Sequence, residues 1–509
     1  MAKMTVLHSF FQDIGTVQIL CALLLFFLIL VSATWKTSPF RMPPGPFPLP
    51  IIGNLHILDL KRLDKSLEKL SKKYGNVFTL SFGTKKSVVI LGYEAAHDAL
   101  VNHADEFGER SVVPSFQKLT NGKGLISSHG DEWKTMRRFA LSTLRDFGMG
   151  KTTIEDRIHK EAEMLIKEIE AHKGQPFYDK WLMNGCTGNV ICSIVLGKRF
   201  DYHDPIFVKL IQIVSQNVKL MGSPAVQLYN MFPFLGFLLG APNILFRNMH
   251  EQRKFFVEFL KLNRQTVNEN DIRSYVDAFM LKQQEEMKKP DNYFDEENLL
   301  VSTLNLFGAG LETTSSSLQW AFLMMIKYPE IQKKVQEEVD EVVGDGRLPT
   351  LEDRKILPYT DAVIHEVQRF CNIVTLPVGR ETTCDTHFRE YFIPKGTRVL
   401  ILLSSVLFDK MQWESPDKFT PSHFLDAQGK FTKKAAFLPF SAGKRVCLGE
   451  SLAKAELFLL FTALIQKFTF YPAPGVTSED LNLEPDFGIT SSPKYHLVCA
   501  VSRKQKKGP

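Results

Sequence analysis

The stretch Phe440-Ser441-Ala442-Gly443-Lys444-Arg445-Val446-Cys447-Leu448-Gly449 sets one cysteine between two glycines, just ahead of a helical pattern that starts near Gly449. A sulfur at a helix N-terminus lies among unpaired backbone N–H groups, which lower a thiol pKa and favour the thiolate, the form that binds metal. The plainer alternative is a buried structural cysteine beside a tight turn. A second stretch, Ala309-Gly310-Leu311-Glu312-Thr313-Thr314, falls midway in the apolar segment Asn298–Lys327, where glycine costs about 1 kcal/mol relative to alanine. Small residues beside an acid and a hydroxyl would open a groove there and bring protons to it. Close helix–helix packing with a helix-bending threonine is the alternative. Glu366 and Arg369 share a helix face, as an ordinary surface ion pair would, and Trp133 and Arg137, at i and i+4, also face one way.

The placement of Phe440, Gly443, Arg445 and Gly449 around Cys447 resembles the haem-binding loop of the cytochrome P-450 family. The other stretches occur in the order that family requires, from the N-terminal apolar segment to Cys499. Within the family, Trp133-Lys134-Thr135-Met136-Arg137-Arg138-Phe139, Arg145-Asp146-Phe147-Gly148-Met149-Gly150 and Asn189-Val190-Ile191-Cys192-Ser193-Ile194 resemble the microsomal family 2 enzymes of vertebrates. Those enzymes lie on the endoplasmic reticulum and oxidise xenobiotics, fatty acids or steroids.

That resemblance implies haem b, iron protoporphyrin IX, with Cys447 as its axial thiolate, and a monooxygenase that inserts one atom of O2 into a lipophilic small molecule. A thiolate ligand favours O–O cleavage, which separates such a site from His-ligated oxygen carriers. Thr313 and Glu312 would handle proton delivery to dioxygen. Trp133, Arg137, Arg380 and Arg445 match the positions that pair with the haem propionates, whose charge an apolar pocket must neutralise; Ala309 and Phe440 match haem contacts. Glu366 and Arg369, joined by His423, would form a buried brace on the proximal side. Gly379 departs from the family, where proline commonly precedes the arginine matched by Arg380, so a looser backbone is expected there. Val113, Leu125, Ile126, Asn305, Val374, Val378, Phe487 and Ile489 match substrate-facing positions, with core packing as the alternative at each.

No Gly-x-Gly-x-x-Gly fingerprint follows a strand, so a nicotinamide cofactor has no evident place in the chain. Electrons from NADPH would arrive through a partner, which the resemblance names as the flavoprotein NADPH–cytochrome P-450 reductase, with cytochrome b5 as a second donor. Lys134, Arg138, Lys433, Lys434 and Lys444 are the expected docking cations. The rival readings are a haem-thiolate isomerase or dehydratase that rearranges a peroxide, a haem-binding sensor or carrier, and a membrane protein in which Cys447 is merely structural. The Glu312-Thr313 pair counts against the first two.

The 509 residues, 44% hydrophobic and 23% charged, suit a large buried core. The net charge of +6 is mild, and its one dense basic run is C-terminal, which argues against nucleic acid. Seven cysteines without a Cys-x-x-Cys pair argue against a disulfide framework and a zinc knuckle. Periodicity predicts helices over Ile154–Ala171, Glu251–Asn268, Ile272–Lys288, Asn298–Lys327, Glu330–Val343 and Ser451–Lys467. Strands are expected over Val77–Phe82, Ser87–Leu91, Arg398–Leu403 and Tyr495–Val501. The expected fold is mostly α with minor β: a single large catalytic domain behind an N-terminal transmembrane helix. Residues 1–13 would be lumenal, 14–33 an apolar anchor long enough to cross a bilayer, 34–50 a basic and proline-rich hinge, and 51–509 the catalytic domain. The anchor implies a membrane location, Lys36 and Arg41 after it place the catalytic domain on the cytosolic side, and the resemblance implies the endoplasmic reticulum. Met221–Phe246, apolar and broken by Pro and Gly, is expected to be a buried loop, or else a second surface touching the membrane.

Overall fold

Glu296–Lys327 form one unbroken helix of 32 residues, around which the rest of the core is laid. Asp295 caps its start, accepting from the Asn298 amide at 2.7 Å. Nearly every residue of its second half is buried, as a helix running through a core requires. The computed structural model describes residues 15, 17–27, 29, 41–289 and 292–503. Its principal helices are α1 (Gly130–Asp146), α2 (Glu155–Ala171), α3 (Asp179–Val195), α4 (Pro205–Gly222), the long α5 (Glu296–Lys327), α6 (Pro358–Cys371) and α7 (Glu450–Lys467). α3 lies along α5, and glycines on both helices let them approach. A Cβ on Gly310 would come within 2.9 Å of Ile191 Cγ1, and one on Gly188 within 3.1 Å of the Phe207 ring.

Among the described residues, eleven strands frame this helical body: β1 (Val77–Phe82), β2 (Lys85–Ile90), β3 (Glu109–Arg110), β4 (Arg380–Glu381), β5 (Thr386–Phe388), β6 (Tyr391–Ile393), β7 (Arg398–Ile401), β8 (Phe468–Pro472), β9 (Pro485–Phe487), β10 (Ser491–Pro493) and β11 (Val498–Ser502). Five make one sheet in the order β1-β2-β7-β4-β3, with β2 and β7 its parallel pair. β5–β6, β8–β11 and β9–β10 are antiparallel pairs. The mostly helical class with minor β is therefore what the chain adopts.

The expected transmembrane helix is corrected by the structure. Among the described residues, no helix is long and apolar enough to cross a membrane. Residues 17–27 of the apolar segment are helical and exposed. The rest of 14–33 and all of 1–13 and 34–40 lie outside the described residues. The membrane location inferred from that anchor loses its support with it. Met221–Phe246 is not a buried loop either. It holds a helix, Pro224–Met231, and a 3₁₀ turn, Pro233–Leu238, whose Phe234, Phe237 and Leu238 are exposed.

Glu366 and Arg369 are wholly buried in α6. The guanidinium grips the carboxylate through two bonds of 2.7 and 2.8 Å and donates further to the carbonyls of Leu407, Pro416 and Lys418. Glu366 also accepts from the Thr420 amide at 2.8 Å and meets His423 Nδ1 at 3.2 Å. One bidentate pair thus ties α6 to three separate segments of the chain that follows it. Removing one partner from such a pair strands a buried charge at a cost of about 3–5 kcal/mol. Arg369→Ala is therefore expected to lower the thermal unfolding midpoint clearly, while Lys134→Ala, which breaks an exposed pair with Asp131, leaves it nearly unchanged. Equal midpoints for the two variants would contradict this assignment.

Candidate functional site

The loop before α7 turns through two residues in left-handed conformation, Ser441 and Gly443. A Cβ on Gly443 would fall 1.8 Å from the Leu100 carbonyl oxygen, so glycine is required there. A 3₁₀ turn over Gly443–Arg445 follows, and Cys447 N donates to the Phe440 carbonyl at 3.0 Å. From α1, Arg137 Nη2 donates to the Val446 carbonyl at 2.7 Å. Cys447 is exposed, yet protein surrounds it closely enough to shift its pKa. Burial pushes this thiol up and outweighs the Gly449 and Glu450 amides and the Arg137 cation, all of which pull it down. The helix N-terminus is where the sequence placed it, but desolvation is the larger effect.

Beside the loop, four arginines come together from four elements: Arg110 of β3, Arg137 of α1, Arg380 of β4 and Arg445. Burial, and after it mutual repulsion, lowers Arg110 to about 10 and Arg380 and Arg445 to about 9. Guanidinium groups keep their protons in proteins, so these shifts register positive charge that the protein leaves uncompensated. Against it stands Glu109. Burial raises its pKa, but the Gly130 amide, His129 and Arg445 together hold the carboxyl below its usual range. Arg445 stacks on the Trp133 ring at 3.7 Å and donates to the carbonyls of Gly108 and Ser128. Even so, Arg445 Nη1, Arg110 Nε and Trp133 Nε1 are buried with no hydrogen-bond partner among the described residues. Unpaired buried donors are costly, and a cluster of them in a cationic environment fits a ligand carrying carboxylates. Gly379 sits at the edge of this cluster. Its carbonyl takes the Ser111 amide at 3.2 Å and a Cβ would lie 2.8 Å from Ser111 Oγ, so the backbone there is held rather than loose.

α5 presents one open stripe in its otherwise buried middle. Ala309 is exposed, Asn305, Gly308 and Thr313 are half-buried, and a Cβ on Gly308 would meet nothing within 4 Å. Thr313 Oγ1 donates to the Ala309 carbonyl at 2.7 Å. Gly310 answers to packing against α3, whereas Gly308 and Ala309 answer to open space. Glu312 is buried on the flank of the stripe. Its carboxylate meets Lys180 Nζ at 3.3 Å and accepts from Ser215 Oγ at 2.6 Å and Asn184 Nδ2 at 3.5 Å. Those partners, like Arg110, were not foreseen, because α3 and α4 carry them at positions that no spacing links to Glu312.

Val113, Leu125, Ile126, Val374, Val378, Phe487 and Ile489 are all half-buried, none of them deep core. The Val378 carbonyl accepts from Arg110 Nη1 at 2.8 Å, which places that residue beside the arginine cluster. Ile489 N donates to Val218 O at the end of α4, and the Phe487 ring lies under Arg62. Leu125 and Ile126 are fastened to Asn305. A separate surface cavity of about 350 Å³, lined by Thr135, Arg138, Phe139, Lys282 and Tyr293 among others, includes none of the residues assigned here to the site.

The family model "Cytochrome P450" matches residues 43–500 of the chain. Cytochrome P450 2K4 of Oncorhynchus mykiss is 47% identical over 98% of this chain and 100% of its own length. Cytochrome P450 2K6 of Danio rerio is 49% identical over 89% of this chain and 90% of its own, and cytochrome P450 2C14 of Oryctolagus cuniculus 44% identical over 90% and 94%.

Behind the open stripe, Glu456 of α7 is buried beside Thr314, with Oε1 lacking a partner, and burial pushes its carboxyl up to about 8. The folded chain keeps this proton while the unfolded chain releases it above the ordinary value of 4.5. Stability from this group is therefore complete below that value and is lost as pH rises towards about 8. Glu456→Gln is expected to remove that component, raising the unfolding midpoint over the parent protein at pH 8 much more than at pH 4.5. Parallel pH profiles for the two proteins would show that Glu456 is not held protonated.

Proposed function

The chain belongs to the cytochrome P450 family and is a monooxygenase of its family 2 type, and from that premise we propose that Cys447 is the axial ligand of haem b. Family membership carries with it the use of O2, of NADPH-derived electrons passed on by a reductase, and of lipophilic substrates. The observation behind the assignment is the cluster of buried, uncompensated arginines with orphaned N–H groups beside the Cys447 loop. No group of three His, Cys, Asp or Glu gathers as a metal site among the described residues, so a metal bound by this lone sulfur brings its other ligands with it, as a porphyrin does.

A haem iron held by thiolate supplies the activation of dioxygen, the sulfur's electron density favouring O–O cleavage. The chain's own residues supply the rest. Trp133 Nε1, Arg137, Arg380 and Arg445, with Arg110 added, neutralise and orient the propionates. Phe440 and Ala309 wall the site, Ala309 by leaving room. The Thr313 hydroxyl, on the open stripe, accepts and hands on protons at Oγ1. Glu312, held by Lys180, Ser215 and Asn184, replenishes them. Glu366, Arg369 and His423 brace the proximal side. Val113, Leu125, Ile126, Asn305, Val374, Val378, Phe487 and Ile489 form the substrate wall. The reductase docks by charge on Lys134, Arg138, Lys433, Lys434 and Lys444, all exposed, and cytochrome b5 competes for the same face.

The reduced, carbon monoxide-treated protein is expected to show the Soret position of a thiolate ligand, and Cys447→Ala to lose it; a band typical of imidazole or water in the parent protein would end this assignment. Thr313→Ala should keep the haem and oxidise NADPH with little product, and normal coupling would remove Thr313 from the mechanism. Reversing the five surface cations should flatten the salt dependence of reduction by the reductase. An unchanged salt profile would place the docking face elsewhere.

A further inference from the structure

At the start of α3 a buried acid faces a buried histidine nitrogen. Asp179, the first residue of α3, is wholly buried, and neither of its carboxylate oxygens has a hydrogen-bond partner among the described residues. His496 lies in the turn between β10 and β11. Its Nδ1 stands 2.9 Å from the Lys494 carbonyl, and a carbonyl only accepts, so Nδ1 carries a hydrogen. Its Nε2 is buried, equally unpartnered among the described residues, and 4.0 Å from Asp179 Oδ2. A neutral imidazole would therefore turn a lone pair towards a carboxylate, acceptor against acceptor. One proton held between the two groups removes that conflict. The backbone keeps them together, because Phe177 and Val498 exchange two hydrogen bonds of 3.0 Å beside them.

The residue after Asp179 is Lys180, whose Nζ meets Glu312 Oε1 at 3.3 Å. Burial pushes the Asp179 carboxyl up to about 6, while His496, the nearby amides of Asp179 and Lys180, and the Lys180 cation draw it back. Lys180 thus feels two buried acids at once. The other groups around the pair supply no free cation. Tyr178, stacked on Tyr495 at 4.7 Å, is pushed up to about 12 by burial first and then by Asp179, Glu312, Tyr495 and Asp486. Lys219 is taken by Asp486 at 2.7 Å, and Lys494 by Glu484 at 2.6 Å. Resting on the reading of Glu312 as the acid that supplies Thr313, we propose that Asp179 and His496 are positioning residues which, by sharing one proton, leave Lys180 to Glu312 alone. With that proton the pair is neutral. Without it, Asp179 is a bare buried carboxylate that competes for Lys180, the contact with Glu312 loosens, and proton supply to Thr313 falls. The supply thereby responds to pH through two residues that lie off the open stripe of α5.

The test takes two readouts from about pH 5 to about pH 8, the range in which a histidine-containing pair titrates, in the parent protein, Asp179→Asn, His496→Gln and Glu312→Gln. The first is the thermal unfolding midpoint. The folded value of Asp179 lies above its ordinary 3.8, so its stabilising contribution is complete below that value and is lost as pH rises through about 6. Asp179→Asn is therefore expected to raise the midpoint over the parent at the upper end of the range and not at the lower end. His496→Gln, which removes a charge that draws Asp179 down, should carry the parent's transition to higher pH. Parallel midpoint profiles for the parent and Asp179→Asn would overturn the proposal, since a clamp that holds no proton shifts the midpoint equally at every pH. The second readout is the hydrogen peroxide released per NADPH oxidised, with the reductase present and lauric acid as the bound probe. The parent's fraction should rise severalfold towards the upper end, Asp179→Asn should keep the parent's low value throughout, and Glu312→Gln should be high throughout. A rise in Asp179→Asn equal to the parent's, with Glu312→Gln high, would remove the pair from the proton supply. Glu312→Gln matching the parent at every pH would instead overturn the reading of Glu312, so the two failures are distinguishable.

Discussion

Four guanidinium groups held close together with too little negative charge among them are the constraint on which the site depends. Arg110, Arg137, Arg380 and Arg445 arrive from an edge strand, a helix, a second strand and the Cys447 loop, and the repulsion among them lowers three of their pKa values further than burial alone. A fold does not gather such charges for its own stability, since replacing buried ions by apolar groups is often neutral or favourable. The two carboxylates of the haem proposed for this site would suit its charge and its orphaned donors. The short strands β3 and β4, two residues each, are explained in the same way. They pair Arg110 directly opposite Arg380, and the sheet around them fixes that pairing.

α5 has to be two helices at once. Towards α3 it must pack tightly, and Gly310 meets Ile191 while Leu311 meets Gly188 for that reason. Towards the site it must stand clear, and Gly308, Ala309 and Thr313 do so. A side chain of ordinary size at Ala309 would fill the open stripe, and one at Gly310 would push α3 away. Thr313 returns its hydroxyl hydrogen to the Ala309 carbonyl, a bond of the kind that bends helices, which leaves its oxygen lone pairs for the open side. Glu312 is the neighbour that turns out of the stripe into a polar knot with Lys180, Ser215 and Asn184.

Much of this was legible in the residues. The Cys447 loop carries its turn locally, because the Cys447 amide closes back on the Phe440 carbonyl within ten residues. Amphipathic helices such as α2 were found to within a residue, since a single buried face leaves a periodic trace. α3 was not predicted as a helix, and the reason is physical: it is buried on nearly every side, so no periodicity survives. Long-range pairings were invisible for a different reason. Nothing near Glu312 in sequence announces Lys180, and nothing near Arg110 announces Arg380. The thiol expected to be depressed is instead raised, because sequence shows the helix end but not the desolvation that opposes it. The Pro224–Leu238 region was misjudged through its proline and glycine content, yet Pro224 and Pro233 stand at the first positions of helical turns, where proline is favoured.

The attachment of the loop before α1 to α5 joins these parts mechanically. Gly124, Leu125 and Ile126 take their backbone partners from Asn298 and Asn305, seven residues apart on one helix. A Cβ on Gly124 would meet Val301 at 2.5 Å and Asn305 Oδ1 at 2.6 Å, so the contact is close as well as hydrogen-bonded. Four residues later, Ser128 offers its carbonyl to Arg445, and α1 then carries Trp133 and Arg137 into the arginine cluster. The path from α5 through this loop to the Cys447 turn thus runs through side chain-to-backbone hydrogen bonds of Asn298, Asn305 and Arg445. The Leu125–Ile126 segment that α5 fastens and the arginine cluster are, for that reason, joined through one short loop.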